Sequence, residues 1–95
     1  MRLLMEVRNL MENYHVKSGM FHYLRGEYHQ AEEFFRKALK DEGELSQADL
    51  RNARYYLTLA LMDLATRLHA AGDVELAAEQ LQRAADVGEG NDASR

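Results

Sequence analysis

Apolar residues in this chain recur at spacings of three and four, the period of one helix face. Leu3, Leu4, Val7, Leu10, Met11 and Tyr14 form the first such stripe, which predicts a helix from about Arg2 to Arg25. Gly26 ends it, because glycine accepts the left-handed backbone that closes a helix C-terminus. A second helix is predicted from about Tyr28 to Lys40. Glu32 with Arg36 and Glu33 with Lys37 form i,i+4 pairs in the favourable order. Lys37 and Lys40 complement the dipole in the last turn. Asp41-Glu42-Gly43-Glu44 is the connection. The third helix starts at Ser46, where Ser46-x-x-Asp49 resembles a capping box with aspartate in the glutamate position, and it continues to Ala71 before Gly72 stops it. Asp73 caps a fourth helix, from about Val74 to Val87. Residues 88–95 carry no apolar period and are expected to be a flexible tail.

The second helix and its entry turn recur in the fourth. Gly26-x-Tyr28-x-x-Ala31-x-x-x-Phe35-x-x-Ala38 is followed by Gly72-x-Val74-x-x-Ala77-x-x-x-Leu81-x-x-Ala84, and every offset between the two is 46 residues. A constant internal period of this size predicts a repeat architecture. The plan is long helix, short helix, long helix, short helix. The tight turns at Gly26-Glu27 and Gly72-Asp73 make each pair antiparallel.

These residues resemble the tetratricopeptide repeat, whose unit is a pair of helices. Gly19 stands seven residues before Gly26, where the family has its helix-A glycine, and Tyr28, Ala31, Phe35 and Ala38 follow the helix-B pattern. In the second copy Ala65 takes the glycine position, and Ala77, Leu81 and Ala84 repeat helix B. The resemblance implies that Gly19, Ala31 and Ala38 are small where helices cross, and that Tyr28 and Phe35 fill the space between them. The chain departs from the family in period, 46 residues rather than about 34, because 12 extra residues lengthen helix A. It also lacks the family's initial aromatic (His15 and Leu61 stand there) and the proline after helix B, replaced by Gly43 and Glu89. The expected fold is all-α: two antiparallel hairpins stacked as a short right-handed solenoid. Residues 1–87 form one domain, with repeat one at 1–42 and repeat two at 46–87.

Composition narrows the function. The chain has 95 residues, no cysteine and no proline, and is 46% hydrophobic and 29% charged. That is a single small domain with neither a disulfide framework nor a thiolate metal site. The net charge of −4, with both signs interspersed, offers no phosphate-binding stripe, so nucleic acid is not an expected partner. Glu6, Arg8 and Glu12 interrupt any signal-peptide core, and no apolar run approaches the ~20 residues that span a bilayer. A membrane is therefore not an expected partner, and a cytoplasmic location is expected.

Candidate chemistry is sparse. His15 and His22 are seven residues apart, roughly 10 Å along a helix, too far to chelate one ion. A site from His22, His29 and a carboxylate is conceivable, but ordinary surface histidines account for the pattern. Glu12, Glu27, Glu32 and Glu33 have no nucleophile or phosphate cradle beside them, and Ser18, Ser46 and Ser94 lack a nucleophile's surroundings. No enzyme, cofactor or metal is expected.

The resemblance implies instead a protein-binding surface, since the family lines its concave face with helix A. Those positions here are Asn13, Val16, Lys17, Met20, Tyr23 and Leu24 in copy one, and Leu59, Met62, Asp63, Thr66, His69 and Ala70 in copy two. They describe a mildly apolar groove suited to a partner's helix or an extended peptide. Some family members clamp a C-terminal carboxylate with Lys, Asn and Arg at positions that Val16, Met20 and Asp63 occupy here, so that activity is not expected. Two readings stay open: a small adaptor or chaperone that holds another protein, and a homo-oligomeric subunit that buries the same residues against its own copies. Two repeats without a capping helix leave an apolar face on the terminal hairpin. On the third helix Leu50, Tyr55, Tyr56, Leu57, Leu59, Leu61 and Met62 surround most of the circumference, more than one neighbouring hairpin covers.

Overall fold

A computed structural model of the chain describes residues 14–40 and 45–89. The expected extension of the first helix over residues 1–12, Asn13, the connection 41–44 and the tail from residue 90 lie outside the described residues. The fold is all-α. Helix α1 covers residues 14–24, α2 is Tyr28–Lys40, α3 is Gln47–Ala70 and α4 is Val74–Gly88. Helix α4 runs one residue past the expected end at Val87, because Glu89 donates to the Ala85 carbonyl and closes the last turn. Gly88 therefore belongs to the helix rather than to a tail.

The 46-residue period holds at the level of single hydrogen bonds. Gly26 N–H donates to the Tyr23 carbonyl at 2.9 Å and Glu27 N–H to His22 at 2.9 Å, while Gly72 donates to His69 at 3.0 Å and Asp73 to Leu68 at 2.9 Å. Both pairs are the paired bonds of a Schellman closure. Both require positive φ at the glycine, which is 77° at Gly26 and 89° at Gly72. The first turns of α2 and α4 also match: Ala31 bonds Glu27 and Ala77 bonds Asp73, each at 3.0 Å. Caps complete the helix starts. Ser46 Oγ accepts from Asp49 N–H at 3.0 Å and Asp73 Oδ1 from Leu76 N–H at 3.3 Å.

Each hairpin packs through small residues. A Cβ placed on Gly19 would lie 2.5 Å from Cε1 of Phe35, and the Phe35 ring is fully buried. The ring occupies the space a side chain on α1 would need. Ala31 and Ala38 are buried beside it. Helix α3 packs against both α2 and α4, and its buried Ala53, Leu57, Ala60, Leu61 and Leu64 join Val16, Phe35, Ala84 and Val87 in one core. Tyr55 and Met62 remain exposed on α3, so the neighbouring helices leave part of its apolar circumference uncovered.

Gly19→Ala is expected to destabilise the fold by about 1–3 kcal/mol through overpacking against Phe35, although alanine is the better helix former by about 1 kcal/mol. Combining it with Phe35→Leu should recover part of the loss relative to the sum of the single changes. Urea unfolding of the three variants measures this, and a stabilised Gly19→Ala would show that the ring does not fill that space.

Candidate functional site

The predicted groove residues do not form one surface. Among them, Val16 is a correction: it is 2% exposed and sits in the core that includes Phe35 of α2 and Leu57 and Leu64 of α3. Met20 and Tyr23 are half-buried against the same core. The Tyr23 side chain joins hairpin one to hairpin two rather than lining an open channel. Lys17 and Leu24 are exposed.

Tyr23 marks that junction. Its hydroxyl donates to Asp63 Oδ2 at 3.1 Å across the two repeats, and its ring lies 5.4 Å from Tyr28 and 5.6 Å from Tyr56. Burial and the bond to Asp63 push its pKa up to about 12. Two further contacts cross between repeats. The Arg67 guanidinium lies 4.5 Å over the Tyr28 ring, and Arg83 reaches Glu32 at 3.1 Å, where Arg36 also binds at 2.9 Å. Tyr56 stacks on Phe35, with centroids 6.4 Å apart. Sequence reasoning missed Arg67 and Arg83. A pairing nearly 40 residues or more apart leaves no local pattern to read.

The other half of the predicted set faces elsewhere. Thr66 and His69 line a hollow of about 320 Å³ with Ala65, Val74, Ala77, Ala78 and Leu81. Met62 lines an adjoining hollow of about 330 Å³ with Thr58, Leu81, Ala84, Ala85 and Gly88. Leu81 belongs to both. A third hollow, bounded by Arg51, Arg54 and Tyr55, shares Thr58 and Gly88 with the second. Together they make one trough between α3 and α4, from Arg51 to His69, roughly 27 Å long at the helix rise.

The trough is the repeat image of a covered face. Val16, Met20, Tyr23, Tyr28 and Phe35 correspond at 46 residues to Met62, Thr66, His69, Val74 and Leu81. The first set is packed under hairpin two. In the second set Met62 is 45%, Val74 59% and Leu81 51% exposed. An isolated exposed leucine is ordinary, but apolar residues exposed together along one trough mark a contact surface.

His22 is held by local contacts. His22 Nδ1 and Glu27 Oε1 are 2.7 Å apart, and that hydrogen bond, helped by Arg25, holds the Glu27 carboxyl below its usual range. The His22 ring also stacks on Phe34 at 5.3 Å. Among the described residues no group of three metal-binding side chains converges, and no helix is long and apolar enough to cross a membrane. Compared with known proteins, the chain matches no family model, no curated protein and no solved structure.

The Tyr23–Asp63 bond has a pH signature. A raised folded pKa favours the neutral phenol in the fold, so this contribution is present below the ordinary value of 10.0 and is lost as pH rises through about 12. Ultraviolet titration of the five tyrosines should show one ionising late. Tyr23→Phe should remove that component and Asp63→Asn should move it to lower pH. A late component that survives Tyr23→Phe would assign it elsewhere.

Proposed function

We infer that this chain is a non-enzymatic protein–protein interaction module, a small tetratricopeptide-like adaptor or chaperone that accepts a helix along the α3/α4 trough. One observation carries the reading. The face of hairpin one at the same repeat positions is covered by a helix, α3, with Phe35 fully buried under it, while Leu81 in hairpin two is 51% exposed. Repeat proteins bury their hydrophobic faces between neighbours, and an end without a neighbour is a surface still able to take one.

The chemistry of the trough supports a helical occupant. Its floor is Ala65, Ala77 and Ala84, small enough for close approach, and its walls are Met62, Val74 and Leu81. Amphipathic helices dock in such grooves through apolar residues spaced by three and four. The buried apolar residues of α3, Ala53, Leu57, Ala60, Leu61 and Leu64, with Tyr56 partly buried beside them, describe the kind of helix this surface suits.

A synthetic peptide of residues 47–70 is the direct probe, because its sequence already covers the equivalent face in hairpin one. The labelled peptide should bind the full chain in fluorescence anisotropy. Leu81→Glu should weaken binding at least about tenfold, since a carboxylate buried without a partner costs several times RT. Lys40→Glu, outside the residues that line the trough, should leave binding unchanged. Failure of the peptide to bind, or equal binding to the Leu81→Glu chain, overturns the reading.

A further inference from the structure

We propose that the helix the trough accepts is α1 of a second copy, so that copies join head to tail and continue the repeat. The proposal rests on the reading that the trough takes a helix. The internal junction supplies the template. The helix that covers hairpin one is α3, and the part of the chain at the repeat register of α3 residues 60–70 is α1, residues 14–24. Helix α1 has no hairpin before it among the described residues, as α3 and α4 have none after them.

The exposed residues at the two ends are those the junction would bury. Tyr14 is 57% and Phe21 56% exposed on α1. Their counterparts 46 residues on are Ala60, which is fully buried, and Arg67, which lies over Tyr28. On the opposite side of the junction, Tyr28 and Phe35 have Val74 and Leu81 as their exposed counterparts. Repeating the junction by one period sets Phe21 of the next copy over Val74, an apolar pair where the internal junction has a cation on an aromatic ring.

Side-chain sizes compensate at several of these positions, although the buried Leu64 of α3 has Ser18 as its counterpart on α1. The trough has Leu81 for Phe35, Val74 for Tyr28 and Thr66 for Met20, each smaller than its counterpart. The incoming helix brings Tyr14 where α3 has Ala60. The hollows of the trough are the space this exchange needs. Met62 is larger than Val16 but is unbranched and adapts its shape.

The polar links of the internal junction are not repeated. Tyr23 with Asp63 becomes His69 with Lys17, and Glu32 with Arg83 becomes Ala78 with Lys37. Contact between copies is therefore held by apolar burial, and its strength should change little with salt. The two faces differ, so the association is heterologous and grows into a chain of copies or closes as a ring.

Complementation of the two ends tests this on the full chain. By sedimentation velocity, the wild-type mass should rise with concentration. Leu81→Glu, which blocks the trough, and Phe21→Glu, which blocks α1, should each hold the chain at monomer mass, with association weakened at least about tenfold. Mixed, the two variants should form a one-to-one dimer and nothing larger, because each keeps the end the other has lost. Circular dichroism and urea midpoints near wild type are expected, both positions being exposed, and Val74→Glu with Tyr14→Glu is the replacement pair if either variant fails to fold. A wild-type monomer at every concentration overturns the proposal, and peptide binding then leaves a foreign helix as the occupant. Loss of association with Leu81→Glu but not with Phe21→Glu overturns it in favour of trough-to-trough pairing. A mixture that stays monomeric overturns it as well.

Discussion

The ring of Phe35 lies against the backbone of Gly19, where no side chain on α1 fits. This contact fixes how closely α1 and α2 approach, and the other packed surfaces depend on it. With the ring buried between the helices, Val16 and Ala31 come into the core and Met20, Tyr23 and Tyr28 pack against its edge. That edge is broad enough for α3 to lie along it, with Tyr56 stacked on Phe35. Hairpin two has Ala65 and Leu81 at the same two positions. Leucine is shorter than phenylalanine and here lies toward solvent, so the crossing of α3 and α4 closes on alanines and leaves a trough beside it.

The contacts between hairpins divide into two kinds. Burial of Val16, Phe35, Leu57, Leu61 and Leu64 provides most of the stabilisation, at about 1.5–3 kcal/mol for a fully buried large side chain. The half-buried ion pair of Arg83 with Glu32 adds less, on the order of 1 kcal/mol. The role of the polar contacts is geometric. Tyr23 to Asp63, Arg67 over Tyr28 and Arg83 to Glu32 each connect one residue of hairpin one to one residue of hairpin two. A slip of one helix along the other breaks all three, so together they hold a register that apolar contact alone leaves loose.

Among the described residues the two repeats meet at one junction, and each has an outer face that no described helix covers. The junction is finished with polar links. The ends carry large apolar side chains, Tyr14 and Phe21 at one and Val74, Leu81 and Met62 at the other. Alternation of a sealed interior junction with apolar ends is the physical basis for reading the molecule as a binding module. It also makes both ends relevant, because each presents one half of a contact the molecule already makes within itself.

The helix ends and the repeat were legible in the sequence because the forces behind them are local. Gly26 and Gly72 adopt positive φ, Ser46 and Asp73 cap their helices, and Glu32 pairs with Arg36 one turn away. Each depends on residues within five positions. Small residues at Gly19, Ala31 and Ala38 were legible for the same reason, since a repeated spacing of small and large side chains encodes a crossing. Which apolar residues stay exposed was not legible. Val16 and Met62 occupy the same repeat position, yet Val16 is packed in the core that both hairpins share and Met62 is 45% exposed beside the trough. The sequence by itself determined the helices, their turns and their period. Only the tertiary structure decided which repeat face is covered, because coverage depends on a neighbour far along the chain and not on the residue itself.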